Sequence, residues 1–254
     1  MPPIHPKSLV LGVPIDAVSF VAAQDQVMTW GHAHNSRYVV LANVHVVVTA
    51  SRDPDFCAVV ATADMVTPDG APVAWVLGKL SHAAQERVSG PDLTWALLER
   101  CEAAQLPVYF YGSTPETLTR LAQRIHVTFP KLVASFEAPP FRSVTAIEDA
   151  ESIQRINASA AGLVFVGLGC PKQEHWMQTH RGRVNAVMLG VGAAFDFHAG
   201  TESRAPAWMR SHGLEWLHRL LNEPRRLWKR YLITNTQFIL GAARQLLGRH
   251  HDQS

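Results

Sequence analysis

The side chains best suited to chemistry sit in short polar turns between apolar runs. "TPDG" at 67–70 places Asp69 in a Pro-Asp-Gly turn, a common turn signature for backbone reasons, yet its carboxylate could also serve as a general base toward a hydroxyl. "ERVSGPDL" at 86–93 sets Arg87 just ahead of a helix start, where it could hold a phosphate or lie on the surface. Asp92 falls in that helix's first turn and complements its dipole. "VFVGLGCPKQEHWMQ" at 164–178 runs from an apolar strand through Gly167 and Gly169 into a helix headed by Pro171, Lys172, Gln173 and Glu174. It lacks the G-x-x-x-x-G-K-[ST] phosphate loop, and Lys172 stands where G-x-G-x-x-G needs its third glycine. Cys170 fits a small turn residue better than an activated nucleophile, and Gln173 is open to two readings, helix capping or ligand contact.

Metal chemistry finds little footing. "DPD" at 53–55 matches an Asp-x-Asp metal signature in form, but Asp53-Pro54 reads as a helix cap followed by a first-turn proline. The histidines show no H-E-x-x-H or comparable spacing, so neither a metal site nor a cofactor is expected.

These turns need a frame. Apolar runs alternate with helical patterns: "LVLGVPI", "RYVVLAN", "ADMVTPDG", "PVYFYG", "GLVFVGLG" and "AVMLGVG", most followed by an amphipathic segment. Such alternation predicts an α/β fold with a mainly parallel, Rossmann-like sheet flanked by helices. In open sheets of this type the carboxyl ends of the strands form the binding rim, where helix N-termini and exposed N–H groups favour anions. Asn43, Gly112, Ser113, Gly167, Gly169 and the Gly190-Val191-Gly192 turn therefore share one edge with Asp69.

A change of pattern near residue 200 divides the chain into an α/β part, 1–200, and a helical appendage, 201–254. Leu227, Tyr231, Thr234, Phe238, Ala242 and Leu246 recur at helical spacing, with Asn222 placed to cap that helix. Between 204 and 249 stand nine Lys or Arg, among them Arg204, Arg219, Arg226, Lys229 and Arg230, against only Glu215 and Glu223, although the whole chain carries just +2. Trp216, Leu220, Trp228 and Tyr231 interleave with these cations, which favours a phosphate-bearing membrane surface over nucleic acid.

With 254 residues and 47% hydrophobic content the chain can build a substantial core. Three widely spaced cysteines suggest neither a disulfide framework nor a zinc knuckle, consistent with a reducing cytosol. "MPPIHPKSLVLGVPID" lacks the parts of a signal peptide, and the longest apolar run, 38–50, is too short to span a bilayer, so a cytoplasmic protein without a transmembrane helix is expected. No motif assigns an oligomeric state.

Together "TPDG", "ERVSGPDL", "VYFYGSTPE", "VFVGLGCPKQEHWM" and "GVGAAFDFHAGTESRAPAWMRSHGLEWLHRLLNEPRRLWKRYL" resemble the WecG/TagA/CpsF glycosyltransferases, glycosyltransferase family 26, from about residue 9 to 233. The resemblance implies an inverting, metal-independent bacterial enzyme. It would move N-acetylmannosamine or a related hexose from a UDP-sugar to a polyprenyl-diphosphate-linked saccharide at the inner membrane face. Cell-wall polymers, capsules and exopolysaccharides are the implied products. Asp69 matches the family's proposed base, and Arg87 and Gln173 match its active-site residues. Arg219, Arg226, Lys229 and Arg230 match its cationic appendage. Lys172, Glu174 and Arg204 are counted with the substrate-binding set. One departure stands out: the family commonly has Thr-x-Asn after its second strand, whereas this chain has Leu41 ahead of Asn43. The competing reading is a non-catalytic nucleotide-sugar or lipid-phosphate binding module in a polysaccharide assembly complex.

Overall fold

The computed structural model describes residues 5–211 and 213–251. The chain opens with strands β1 (Lys7–Val10) and β2 (Val13–Asp16), then α1 (Phe20–His32), β3 (Arg37–Ala42), α2 (Val44–Ala50), α3 (Pro54–Ala61), β4 (Met65–Pro68) and α4 (Ala71–Ser81). It continues through α5 (Gly90–Ala103), β5 (Val108–Gly112), α6 (Pro115–Thr128), β6 (Ala134–Glu137), α7 (Ala146–Ala158), β7 (Leu163–Gly167), α8 (Lys172–His180), β8 (Val187–Gly190) and α9 (Ala194–Ala199). Three further helices follow: α10 (Ala207–Ser211), α11 (Glu215–Asn222) and α12 (Pro224–His251).

Six strands form one parallel sheet in the order β4-β3-β8-β7-β5-β6. Alternate residues of each strand face opposite sides, so a two-faced core follows from the apolar runs. Tyr38, Val40, Tyr109, Val164, Val166 and Met188 pack toward α2, α3, α7 and α8. Val39, Leu41, Phe110, Phe165, Val187 and Leu189 pack toward α1, α5, α6 and α9. Phe238 and Ala242 of α12 join the first of these layers, so the last helix is anchored in the main core. Leu227, Thr234, Phe238 and Ala242 are buried along its expected stripe. Among the described residues no helix is long and apolar enough to cross a membrane.

The structure adds to the expected elements. "LVLGVPI" is a hairpin rather than one strand of the sheet: Leu11 and Gly12, at φ 52° and 83°, make a two-residue turn between β1 and β2. This hairpin is pinned from the far end of the chain, because Leu11 N–H donates to Gln245 Oε1 at 2.9 Å. The half-buried edge strand β6 and helix α7 also join the layout. Asn222 ends α11 and donates to Ser203 Oγ at 3.1 Å; Pro224 opens α12 directly after Glu223.

Close strand-end packing depends on Gly112. Its φ is 129°, and a Cβ there would stand 2.5 Å from the Gly167 carbonyl oxygen, a backbone atom that cannot swing aside. Gly112→Ala is expected to destabilise the protein by about 2 kcal/mol or more, a fall in Tm of at least ~5 °C on thermal unfolding.

Candidate active site

The carboxyl ends of β3, β4, β5, β7 and β8 surround a cavity of about 670 Å³. Asn43 and Asp69 meet on its floor because β3 and β4 are neighbours. Asn43 caps α2, its Oδ1 accepting from Val46 N–H at 3.1 Å, which leaves its amide group free to donate to the Asp69 carboxylate. The Asp69 backbone N–H donates to Ala42 O at 3.1 Å, fixing the turn from which the side chain projects. Asp69 is half-buried. Burial pushes its carboxyl up to about 7, aided by Glu215 and Asp92 and opposed by Arg87 and the Asn43 hydrogen bond.

Arg87 binds two acids at once. Its Nη1 donates to Glu215 Oε2 at 2.9 Å and its Nη2 to Asp92 Oδ2 at 3.2 Å. Asp92 is also reached by Ser89 Oγ at 2.6 Å, Arg204 Nη2 at 2.7 Å and Arg210 Nη1 at 3.5 Å. Burial would raise its carboxyl, but the Ser89 and Arg204 contacts outweigh that and hold it below the usual value. Three guanidinium groups thus share two carboxylates, and the surplus positive charge lies beside Asp69 and a side cleft lined by Ala71, Arg87, Ala207 and Arg210.

The opposite wall comes from the glycine turns. Ser113, Thr114, Gly167, Gly169, Gly190 and Gly192 line the cavity. Gln173 lines it as well while only 4% exposed, its N–H bonded to Gly169 O at 2.8 Å. Gly112, Lys172, Glu174 and Arg204, expected among the substrate contacts, are not among the residues that line this cavity. Gly112 is spent on close packing against Gly167, Lys172 points to the exterior, and Glu174 is fully buried behind Gln173. Cys170 is a half-buried turn residue packed against the core.

The C-terminal helices supply the remaining wall through Trp216, Arg219, Tyr231, Thr234 and Phe238. Arg219 lies 5.3 Å over the Phe197 ring and 3.5 Å from Glu202 Oε2. Lys229 is exposed and sits over Trp228. The side chains of Arg226 and Arg230 lie outside the described residues. Asp53 caps α3 with Pro54 in the first turn, as the sequence suggested. Glu215, Arg210 and Glu202 are not expected as site residues from the sequence; the one signal for Glu215 is its rarity as an acid in a cationic tail.

A parallel sheet whose rim carries a carboxylate, guanidinium groups and open glycine turns around one cavity defines an α/β protein with a candidate ligand site at the carboxyl ends of its strands. Residues 9–252 match the Glycosyl transferase WecG/TagA/CpsF family, and the chain belongs to it; it is a glycosyltransferase. It is also 31% identical over 205 residues, 80% of this chain and 78% of the relative, to an N-acetylglucosaminyldiphosphoundecaprenol N-acetyl-beta-D-mannosaminyltransferase from Bacillus spizizenii.

The raised Asp69 carboxyl carries a stability signature. The folded state holds this proton more tightly than the unfolded chain, so wild-type stability declines as pH rises from about 4 through about 7. Asp69→Asn has no such proton to lose. Its Tm is expected to exceed that of wild type at pH 8, with the difference vanishing near pH 4; an equal difference at both pH values contradicts the burial of this charge.

Proposed function

We propose that the protein transfers N-acetylmannosamine or a related hexose from a UDP-sugar to a polyprenyl-diphosphate-linked saccharide, with inversion, in the synthesis of a bacterial cell-surface polymer. The observation that carries this reading is the Asp69 carboxyl, raised to about 7, in a cavity that Arg87 and Arg219 also line. The mannosaminyltransferase relative, whose name specifies a diphosphoundecaprenol acceptor, supports the substrate classes.

In this scheme Asp69 accepts the proton of the acceptor hydroxyl as that oxygen bonds to the anomeric carbon. The bond from the anomeric carbon to the diphosphate oxygen breaks on the opposite face, and UDP departs with the electron pair. Asn43 orients the base. Arg87 stands beside it to meet the negative charge that grows on the leaving group, with Arg204 bound to the same two acids as Arg87, and Arg219 faces the same cavity from the appendage. Gln173 and the glycine turns hold the nucleotide-sugar. Leu41, 3% exposed in the cavity wall, presents an apolar surface in place of the family's common threonine, which points to a donor or acceptor adapted to that wall.

Residues 201–254 act as an appendage that closes the site against the membrane. Trp228, Leu232 and Ile233 are exposed within a turn of Lys229 on α12, and Trp208 is exposed on α10, an arrangement suited to a peripheral position on the inner face of an anionic bilayer.

Two experiments bear on this. With UDP-N-acetylmannosamine and synthetic polyprenyl-diphosphate N-acetylglucosamine, kcat/KM is expected to rise with pH to a plateau above about 7. Asp69→Asn is expected to lose about 10²- to 10⁴-fold in turnover while still binding UDP; near wild-type turnover removes Asp69 from the base role. In vesicle flotation, Leu232→Ser/Ile233→Ser is expected to bind anionic vesicles several-fold more weakly than wild type, and unchanged binding sinks the membrane reading.

A further inference from the structure

Glu174 is a carboxyl with no counter-charge. It is 0% exposed in the first turn of α8, and none of the ion pairs among the described residues involves it. A buried carboxyl without a cation is expensive, and an apolar residue would fill the same space at less cost. Two neighbouring side chains reach it: Gln173 Nε2 donates to Glu174 Oε1 at 2.9 Å, and the Cys170 thiol also hydrogen-bonds the carboxyl.

The first contact fixes the amide plane of Gln173. With the nitrogen turned toward Glu174, the amide oxygen is directed the other way. Gln173 Oε1 is buried, has no hydrogen-bond partner and lies in the wall of the cavity, against Gly192. Gly190 leaves the slot open: a Cβ there would stand 3.0 Å from Gln173 Nε2 and 2.7 Å from Met177 Cε. The backbone below is held as well, through Gln173 N–H to Gly169 O. An acceptor withdrawn from water and left unpaired at a cavity wall is a place prepared for a donor.

We propose that Glu174 is a positioning residue: by accepting from Gln173 Nε2 it turns the Gln173 amide oxygen into the cavity, where it accepts one N–H or O–H of the bound substrate. Glu174 itself touches no ligand. Either protonation state of the carboxyl retains an oxygen able to accept from Nε2, so the device does not depend on Glu174 being charged. A hydroxyl or amide of a sugar, or the imide N–H of a uracil ring, has the chemistry to pair with the unpartnered oxygen. The substrate class rests on the UDP-sugar reading above.

The test has a ligand-free arm and a binding arm, both on the full chain. In 15N NMR spectra the Gln173 side-chain amide is assigned by its loss in Gln173→Met. Glu174→Met is expected to shift that amide strongly and to speed its exchange with water, while the isosteric Glu174→Gln, which keeps an acceptor oxygen, leaves it near the wild-type position. An amide unmoved in Glu174→Met overturns the positioning role, whatever the protein binds. In calorimetric titrations with UDP and UDP-N-acetylmannosamine, Glu174→Met is expected to weaken binding of at least one about tenfold, Glu174→Gln to stay within about twofold of wild type, and Glu174→Met to add nothing once Gln173 is already Met. A penalty that persists in the Gln173→Met background marks a merely structural residue and overturns the proposal. Wild-type protein that binds neither nucleotide removes the UDP-sugar reading instead, and the NMR arm then decides on Glu174 alone.

Discussion

Arg87 holds one carboxylate from each side of the cavity, and the site depends on that double grip. Asp92 belongs to α5, within the α/β part, whereas Glu215 begins α11, 128 residues from Arg87 along the chain. The arginine therefore joins the helical segment to the sheet rim, and it does so beside Asp69. The same two acids that hold Arg87 also raise the Asp69 carboxyl, adding to the larger effect of its burial, so the tether contributes to the tuning of the base. Arg204 repeats the pattern from the helical side and Arg210 reaches Asp92 alone, so three guanidinium groups share two carboxylates.

The second requirement is room. Parallel strands bring all their carboxyl ends to one edge, and a usable cavity forms only where backbone replaces side chains. Gly112 presses on Gly167, and Gly190 makes way for Gln173 and Met177. On the far side, Phe238 and Ala242 root α12 in the core, so the helix that supplies Tyr231 and Thr234 to the cavity wall is held by the same hydrophobic layer that supports the sheet. Fold and site are stabilised by shared contacts.

Much of this was legible in the residues. Strands buried on both faces announce themselves as unbroken apolar runs, and the turns after them marked the rim that carries Asn43, Asp69, Ser113, Gly167 and Gln173. Local pattern failed where long-range partners decide. The β1–β2 hairpin turns at Leu11, a residue with no turn chemistry of its own, and Gln245 binds it from the other end of the chain. Strand β6 is short and polar, with Glu137 satisfied by Tyr109, Ser152 and Arg155 from other elements. Lys172, Gln173 and Glu174 are neighbours in one helical turn, and spacing alone could not tell which faces outward, which lines the cavity and which is buried. Glu215 stands out in sequence only as a rare acid in the tail, and its pairing is not legible because its partner Arg87 is remote.

The central claim is that the fold withdraws the Asp69 carboxyl from water enough to make it a base near neutrality. Carbon-13 NMR of the aspartate side-chain carboxyls in the ligand-free protein, with the Asp69 signal identified by its absence in the Asn variant, measures this directly. The account predicts a titration midpoint near 7. A midpoint near 4, the ordinary range for an aspartate in water, would contradict it.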